Sequence, residues 1–103
     1  MFKNKSNRYI TRGVNEEVDI RLQLIMWNMI DNLNEKENIE IDYLQVFKLK
    51  KEETLIIIEH IQEEQKYKKI YSLELEDIKL NGEIKIYVID SGDYSTMLLS
   101  KEY

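Results

Sequence analysis

Residues 15–34 form the one segment of this chain with the apolar spacing of an α-helix, and that segment limits the possible folds. Asn15 is the expected N-cap, and two glutamates follow it in the first turn, where the helix dipole favours negative charge. Apolar side chains then recur every three or four residues and predict one buried stripe. The stripe consists of Val18, Leu22, Ile25, Met26, Met29, Ile30 and Leu33.

The same helix has a second apolar side. Ile20, Leu24 and Trp27 fall almost opposite the stripe, at about 100° per residue. A tryptophan with a leucine one turn away is a common interface anchor, and a small domain rarely covers both sides of a helix. We expect these three side chains to contact a protein partner or a second copy in a homodimer. The alternative is that Phe2 or residues 97–103 cover them within the monomer.

From residue 41 onward the apolar pattern alternates as in β-strands. Asn81-Gly82 is a favourable two-residue hairpin turn, and residues 90–93 indicate another turn. Short links between strands favour antiparallel pairing. The predicted fold is α+β: a mostly antiparallel sheet of about six strands with one amphipathic helix packed on one face. The expected strands lie within 8–14, 42–49, 53–62, 66–75, 83–89 and 94–99.

Length and composition indicate one small soluble domain over residues 1–103. The chain has no cysteine, which excludes disulfides, thiolate nucleophiles and cysteine-ligated metals. We find no signal-peptide pattern, and the longest apolar run, residues 55–58, is far too short to span a membrane. We therefore expect a cytoplasmic protein without a membrane contact.

The net charge of −5 is distributed unevenly. We expect residues 1–7 to be a flexible basic arm. The rest of the protein is acidic and repels phosphates, so nucleic acid is a disfavoured partner. If nucleic acid binds at all, the candidate contacts are the basic side chains among the first twelve residues, which are Lys3, Lys5, Arg8 and Arg12.

Two other groups of residues suggest weaker alternatives. His60, Asp90 and Asp93 could serve a small metal-dependent enzyme, but ordinary turn chemistry explains both aspartates and the spacing of calcium loops is absent. Residues 66–71 interleave three lysines with two tyrosines, as some single-stranded nucleic-acid sites do, although a protected edge strand has the same composition. We predict no catalytic, cofactor-binding or metal-ligating residue.

Several stretches of the chain together resemble a known family. They are residues 8–13 (Arg-Tyr-Ile-Thr-Arg-Gly), 22–33 with Trp27, 42–47 (Asp-Tyr-Leu-Gln-Val-Phe) and 89–99 (Ile-Asp-Ser-Gly-Asp-Tyr-Ser-Thr-Met-Leu-Leu). Over nearly the whole chain this pattern resembles the domain of unknown function 960 family. The resemblance implies a source in low-GC Gram-positive bacteria, often on phages or plasmids. It brings no established activity, cofactor or catalytic residue.

The sequence thus predicts a non-enzymatic protein-binding module that acts through the second side of its helix. In the mobile-element setting that the resemblance implies, the module would modulate a host factor, such as a defence nuclease complex whose basic groove an acidic surface can occupy. A small metal-dependent enzyme and a nucleic-acid-binding protein remain the alternatives.

Overall fold

The six strands form one sheet in which chain order and spatial order differ. The computed structural model describes residues 1–103. Its elements are β1 (Arg8–Ile10), α1 (Arg12–Glu17), α2 (Ile20–Asn34), β2 (Leu44–Glu52), β3 (Leu55–Gln62), β4 (Tyr67–Glu74), β5 (Ile84–Asp90), β6 (Ser95–Leu99) and a final 3₁₀ helix (Ser100–Glu102). The α+β fold predicted from the sequence is confirmed.

The strand order across the sheet is β1-β6-β5-β2-β3-β4. Every neighbouring pair is antiparallel except β1 and β6, which are parallel. Parallel strands need a long connection, and here the helices and four strands lie between the two. The first strand therefore joins the end of the chain at one edge, and β4 forms the other edge.

The predicted continuous helix is divided into α1 and α2. Val18 has extended backbone (φ −119°, ψ 118°), and Asp19 caps α2 by accepting the N–H of Arg21 at 2.9 Å. Thr11 is the N-cap of α1. Asn15, the expected N-cap, lies inside α1, so that prediction is wrong. The short Asp19 carboxylate competes with the helix for backbone N–H groups and starts a new helix.

One continuous hydrophobic core lies between the helices and the sheet. Six of the seven predicted stripe residues are buried, and Ile25 is half-buried. Because side chains alternate along a strand, every second strand residue faces the helices. The buried apolar residues among them are Phe47, Leu49, Ile56, Ile58, Ile86, Val88, Met97 and Leu99. The helices thus cover one face of the sheet.

Residues 1–7 do not project from the protein as the expected basic arm. Phe2 is only 3% exposed and belongs to the core, and its N–H donates to the Asp90 carboxylate at 2.8 Å. The Asn34 side chain donates to the Met1 carbonyl at 2.7 Å. Burial of the Phe2 ring stabilises the attachment of this segment, because leaving a large apolar ring in water is unfavourable.

Candidate protein-contact surfaces

The three residues predicted to form one contact surface have different environments. Ile20 and Leu24 are 60% and 62% exposed, one turn apart on the side of α2 away from the core. Trp27 is 9% exposed and belongs to the core. The guanidinium carbon of Arg8 lies 4.8 Å from the centroid of the Trp27 ring, in a cation–π arrangement. The first two residues are thus accessible to a partner, whereas Trp27 is covered within the monomer.

Arg8 is held over Trp27 by charged and backbone partners. Its guanidinium donates two hydrogen bonds to the Asp31 carboxylate, at 3.1 and 2.5 Å, and one to the Phe2 carbonyl at 3.1 Å. The Arg8 and Asp31 side chains are 11% and 17% exposed. Bidentate pairing offsets the cost of removing both charges from water. Arg8 is therefore engaged within the protein rather than displayed for a phosphate.

The other basic side chains proposed for nucleic acid do not form a continuous strip. Lys5 lies 3.8 Å from Asp31, and Arg12 pairs with Glu16 along α1 at 2.9 Å. Lys3 is exposed and makes no ion pair. Three of the four candidate basic residues thus lie within ion-pair distance of a carboxylate of the same chain. This geometry does not favour a phosphate contact by the N-terminal segment.

A groove separates α2 from the edge strand β4, next to the exposed Ile20 and Leu24. Its lining residues are Ile25, Asn28, Met29, Asn32, Lys69 and Tyr71. Tyr71 is 43% exposed, and the outer backbone edge of β4 has no strand partner. We call Ile20, Leu24 and this groove the outer helix surface.

The only histidine, His60, is fully buried on the helix-facing side of β3. Its ring stacks on Phe47, with centroids 4.3 Å apart, and meets the edge of Tyr67 at 5.5 Å. Its Nε2 lies 2.7 Å from Oε1 of Gln45, which can only accept, so Nε2 carries the proton. Burial, together with the charge of Lys69, lowers the pKa of His60 to about 4. The ring is neutral at pH 7.

His60 begins a chain of buried amides. Gln45 donates to Oε1 of Gln62 at 2.7 Å, and Gln62 donates to the carbonyls of Glu40 and Glu64 at 2.9 and 2.7 Å. Both glutamines are buried. The network connects the loop before β2 to the turn between β3 and β4. Its hydrogen bonds account for a structural role of the histidine.

The aspartates considered for a metal site belong to the turn between β5 and β6. The Asp90 carboxylate accepts the N–H groups of Phe2 and Gly92 at 2.8 and 2.9 Å, and Asp93 is exposed on the same turn. His60 lies two strands across and four residues along the sheet, roughly 16 Å from Asp90. The structure does not bring these three side chains together. No group of three or more His, Cys, Asp or Glu side chains is placed to hold a metal ion.

A group of apolar side chains lies on the face of the sheet opposite the helices, and the sequence interpretation missed it. The strand register places Leu98 opposite Tyr87, and Tyr87 opposite Val46. Val46 in turn lies opposite Ile61. We call this side of the sheet the open sheet face. Its central apolar patch consists of Leu44, Val46, Ile61, Tyr87, Ile89 and Leu98.

These features define a small two-layer α+β protein whose candidate sites are contact surfaces. None of its helices has the length and apolar character needed to cross a membrane. The chain belongs to the family described as "Staphylococcal protein of unknown function (DUF960)", whose model matches residues 7–102. The family resemblance identified in the sequence is confirmed.

A solved structure supports the same fold. The chain is similar to a protein of unknown function from Enterococcus faecalis, with a TM-score of 0.80 and 25% sequence identity. The match covers 99% of this chain and 94% of the other. No curated protein gives a significant sequence match. The family and the similar structure assign no activity, and the mobile-element origin stays a prediction.

Proposed function

We propose that this protein acts by binding another protein through the outer helix surface and has no enzymatic activity of its own. The observation that carries the proposal is the exposure of Ile20 and Leu24, at 60% and 62%, on the side of α2 away from the core. Two aliphatic side chains held one turn apart on a rigid helix can anchor a partner. Trp27 is not part of this proposed contact, because Arg8 covers it.

The groove beside this pair limits the chemistry of the partner. Ile25 and Tyr71 provide apolar contacts, and Lys69 provides a positive charge. The outer edge of β4 offers backbone groups to which an extended partner segment can add as a further strand. A partner with an apolar ridge and an acidic, extended segment would match these features. From the family resemblance alone, the context we propose is modulation of a host factor in the cytoplasm.

Two charge-introducing variants test the proposal. Leu24→Asp places a carboxylate in the outer helix surface, and Tyr94→Asp makes a similar change at a 47% exposed position beside the turn between β5 and β6, away from α2 and β4. Proteins captured from a staphylococcal lysate by the parent chain would be identified and purified, and their Kd measured by calorimetry. We expect Leu24→Asp to weaken binding at least tenfold, on the order of 1.4 kcal/mol or more, and Tyr94→Asp to leave the Kd within about twofold.

Equal weakening by both variants, or no weakening by either, would contradict a contact through the outer helix surface. A divalent cation that raises the Tm would instead support the metal-dependent enzyme. Retention on immobilised DNA that falls with salt would support the nucleic-acid-binding alternative.

A further inference from the structure

We propose that the open sheet face is a homodimer interface, in which two copies pack sheet against sheet. This inference concerns the side of the sheet away from the outer helix surface and does not depend on the proposed function. The six side chains of the central patch belong to four adjacent strands and are in register with one another, and none of them belongs to the core under the helices.

No helix covers this face, yet its central positions are apolar. Val46 is only 7% exposed, because its cross-strand neighbours Tyr87 and Ile61 crowd around it. Tyr103 adds its ring from the C-terminus, 5.5 Å from that of Tyr87. A contiguous apolar patch on a small protein marks an interaction site more often than a scatter of single apolar residues does.

Charge favours a second copy as the occupant. The charged side chains of the open sheet face, counted with residue 83 beside β5, are four lysines and four glutamates, so this face has no net charge. The whole chain has a net charge of −5. Two copies approaching through this face therefore meet neutral, mixed-sign surfaces, and the excess negative charge points away from the contact. In a two-fold arrangement, lysines of one copy can face glutamates of the other. These residues are Lys48, Lys50, Lys68, Lys85, Glu52, Glu59, Glu74 and Glu83.

The size of the face also fits a dimer. Six strands at about 4.8 Å spacing span roughly 24 Å. β1 has three residues, and the other five strands have five to nine and extend about 17–30 Å. The projected area is therefore on the order of 600 Å², and the accessible area of the corrugated surface is larger. Stable interfaces bury about 800 Å² per partner. Sheet-on-sheet packing at a separation of about 10 Å would leave the helices on the two outer sides.

Light scattering of the purified chain tests the dimer. We expect twice the 12.5 kDa chain mass at about 100 μM, and the monomer mass for Leu98→Lys, which places a charge in the central patch twice, once from each copy. The variant should raise the dimer Kd at least about 100-fold. The matched control is Leu24→Lys on the outer helix surface, which should remain dimeric. Circular dichroism would verify that both variants fold.

Cross-linking provides a second test that leaves the central patch intact. Because the chain has no cysteine, Thr96→Cys introduces a single thiol on the open sheet face, and Asn28→Cys introduces one on the outer helix surface. A short bifunctional maleimide should join two Thr96→Cys chains and leave Asn28→Cys chains single. A monomeric parent, a dimer that Leu24→Lys disrupts and Leu98→Lys does not, or cross-linking through residue 28 alone would each overturn the proposal.

Discussion

At the scale of single residues, Arg8 covers Trp27 and keeps its ring from contacting a partner. The indole packs into the core, and the guanidinium lies over its ring. Trp27→Ala should therefore behave as a core truncation and lower the free energy of unfolding by about 3 kcal/mol. Leu24→Ala, at a 62% exposed position of the same helix, should change it by no more than about 0.5 kcal/mol. Urea denaturation of the two variants beside the parent measures both values.

The comparison of these two variants is decisive because they lie one turn apart on one helix. If Trp27→Ala destabilised the protein no more than Leu24→Ala, the indole would lie outside the core, as the sequence first indicated. A large effect of Arg8→Ala would add support, since that change removes the bidentate partner of the partly buried Asp31 carboxylate.

His60 gives the protein a specific sensitivity to acid. Its pKa is about 4 in the folded chain, against 6.5 for an ordinary histidine, so the unfolded chain binds the proton more tightly. The resulting stability is fully present above pH 6.5 and is lost as the pH falls towards 4. Below pH 4 both states are protonated, and no further loss arises from this group. We expect a loss of about 3 kcal/mol between pH 7 and pH 4 from this histidine.

A variant isolates this contribution from those of the carboxylates. His60→Gln keeps an amide N–H that can donate to Gln45 but removes the titrating ring. Hydrogen bonds from Arg21 lower the pKa values of Asp19 and Asp77, so protonation of these carboxylates in acid also destabilises the fold. This contribution is the same in both proteins and cancels when they are compared. Urea unfolding at several pH values should therefore show a steeper decline for the parent than for His60→Gln. Parallel curves would contradict the buried neutral histidine.

At the scale of elements, the division between α1 and α2 gives a prediction about capping. Asp19→Ala removes the acceptor for the Arg21 N–H and should cost about 1 kcal/mol of stability. Asn15→Ala is the matched control, because the sequence favoured Asn15 as the cap whereas the structure places it inside α1. We expect the control to change the free energy of unfolding by less than about 0.5 kcal/mol, measured by urea denaturation. A larger loss of stability for Asn15→Ala would instead support the single continuous helix, capped by Asn15, that the sequence predicted.

Periodicity predicted the elements and could not detect this division. Val14, Val18 and Leu22 keep the four-residue spacing across the break, and all three are buried. The stripe therefore continues in phase although the backbone at Val18 is extended. The strands were identified because their alternation is local, and their pairing followed from short turns. The parallel pairing of β1 and β6 joins segments 87 residues apart and has no local signal.

The candidate surfaces were predictable to different degrees. The exposure of Ile20 and Leu24 follows from helical spacing alone. The cover over Trp27 depends on Arg8, which β1 brings to the helix through its pairing with β6. The open sheet face did leave a signal, because Leu44 and Val46 are apolar at positions that alternate with the buried Phe47. A strand that has apolar residues at both its odd and its even positions indicates that both faces of the sheet are shielded from water.

At the scale of the whole molecule, the two proposed surfaces lie on opposite sides of the sheet. A dimer through the open sheet face would leave both outer helix surfaces accessible, one at each end of a four-layer particle. A partner with two binding segments could then engage both copies and gain avidity without any new contact. The association of copies and the binding of a partner would therefore reinforce each other.

Dimerisation also predicts how thermal stability depends on protein concentration. Because two folded chains associate and unfolded chains do not, a higher concentration favours the folded state by mass action. A tenfold increase contributes about 0.7 kcal/mol per chain, which raises the Tm of a domain of this size by about 3–5 °C. Leu98→Lys should melt at the same temperature at every concentration, whereas Leu24→Lys should follow the parent. Scanning calorimetry over a hundredfold concentration range measures the difference, and a parent Tm that does not move with concentration would show that folding and association are not linked.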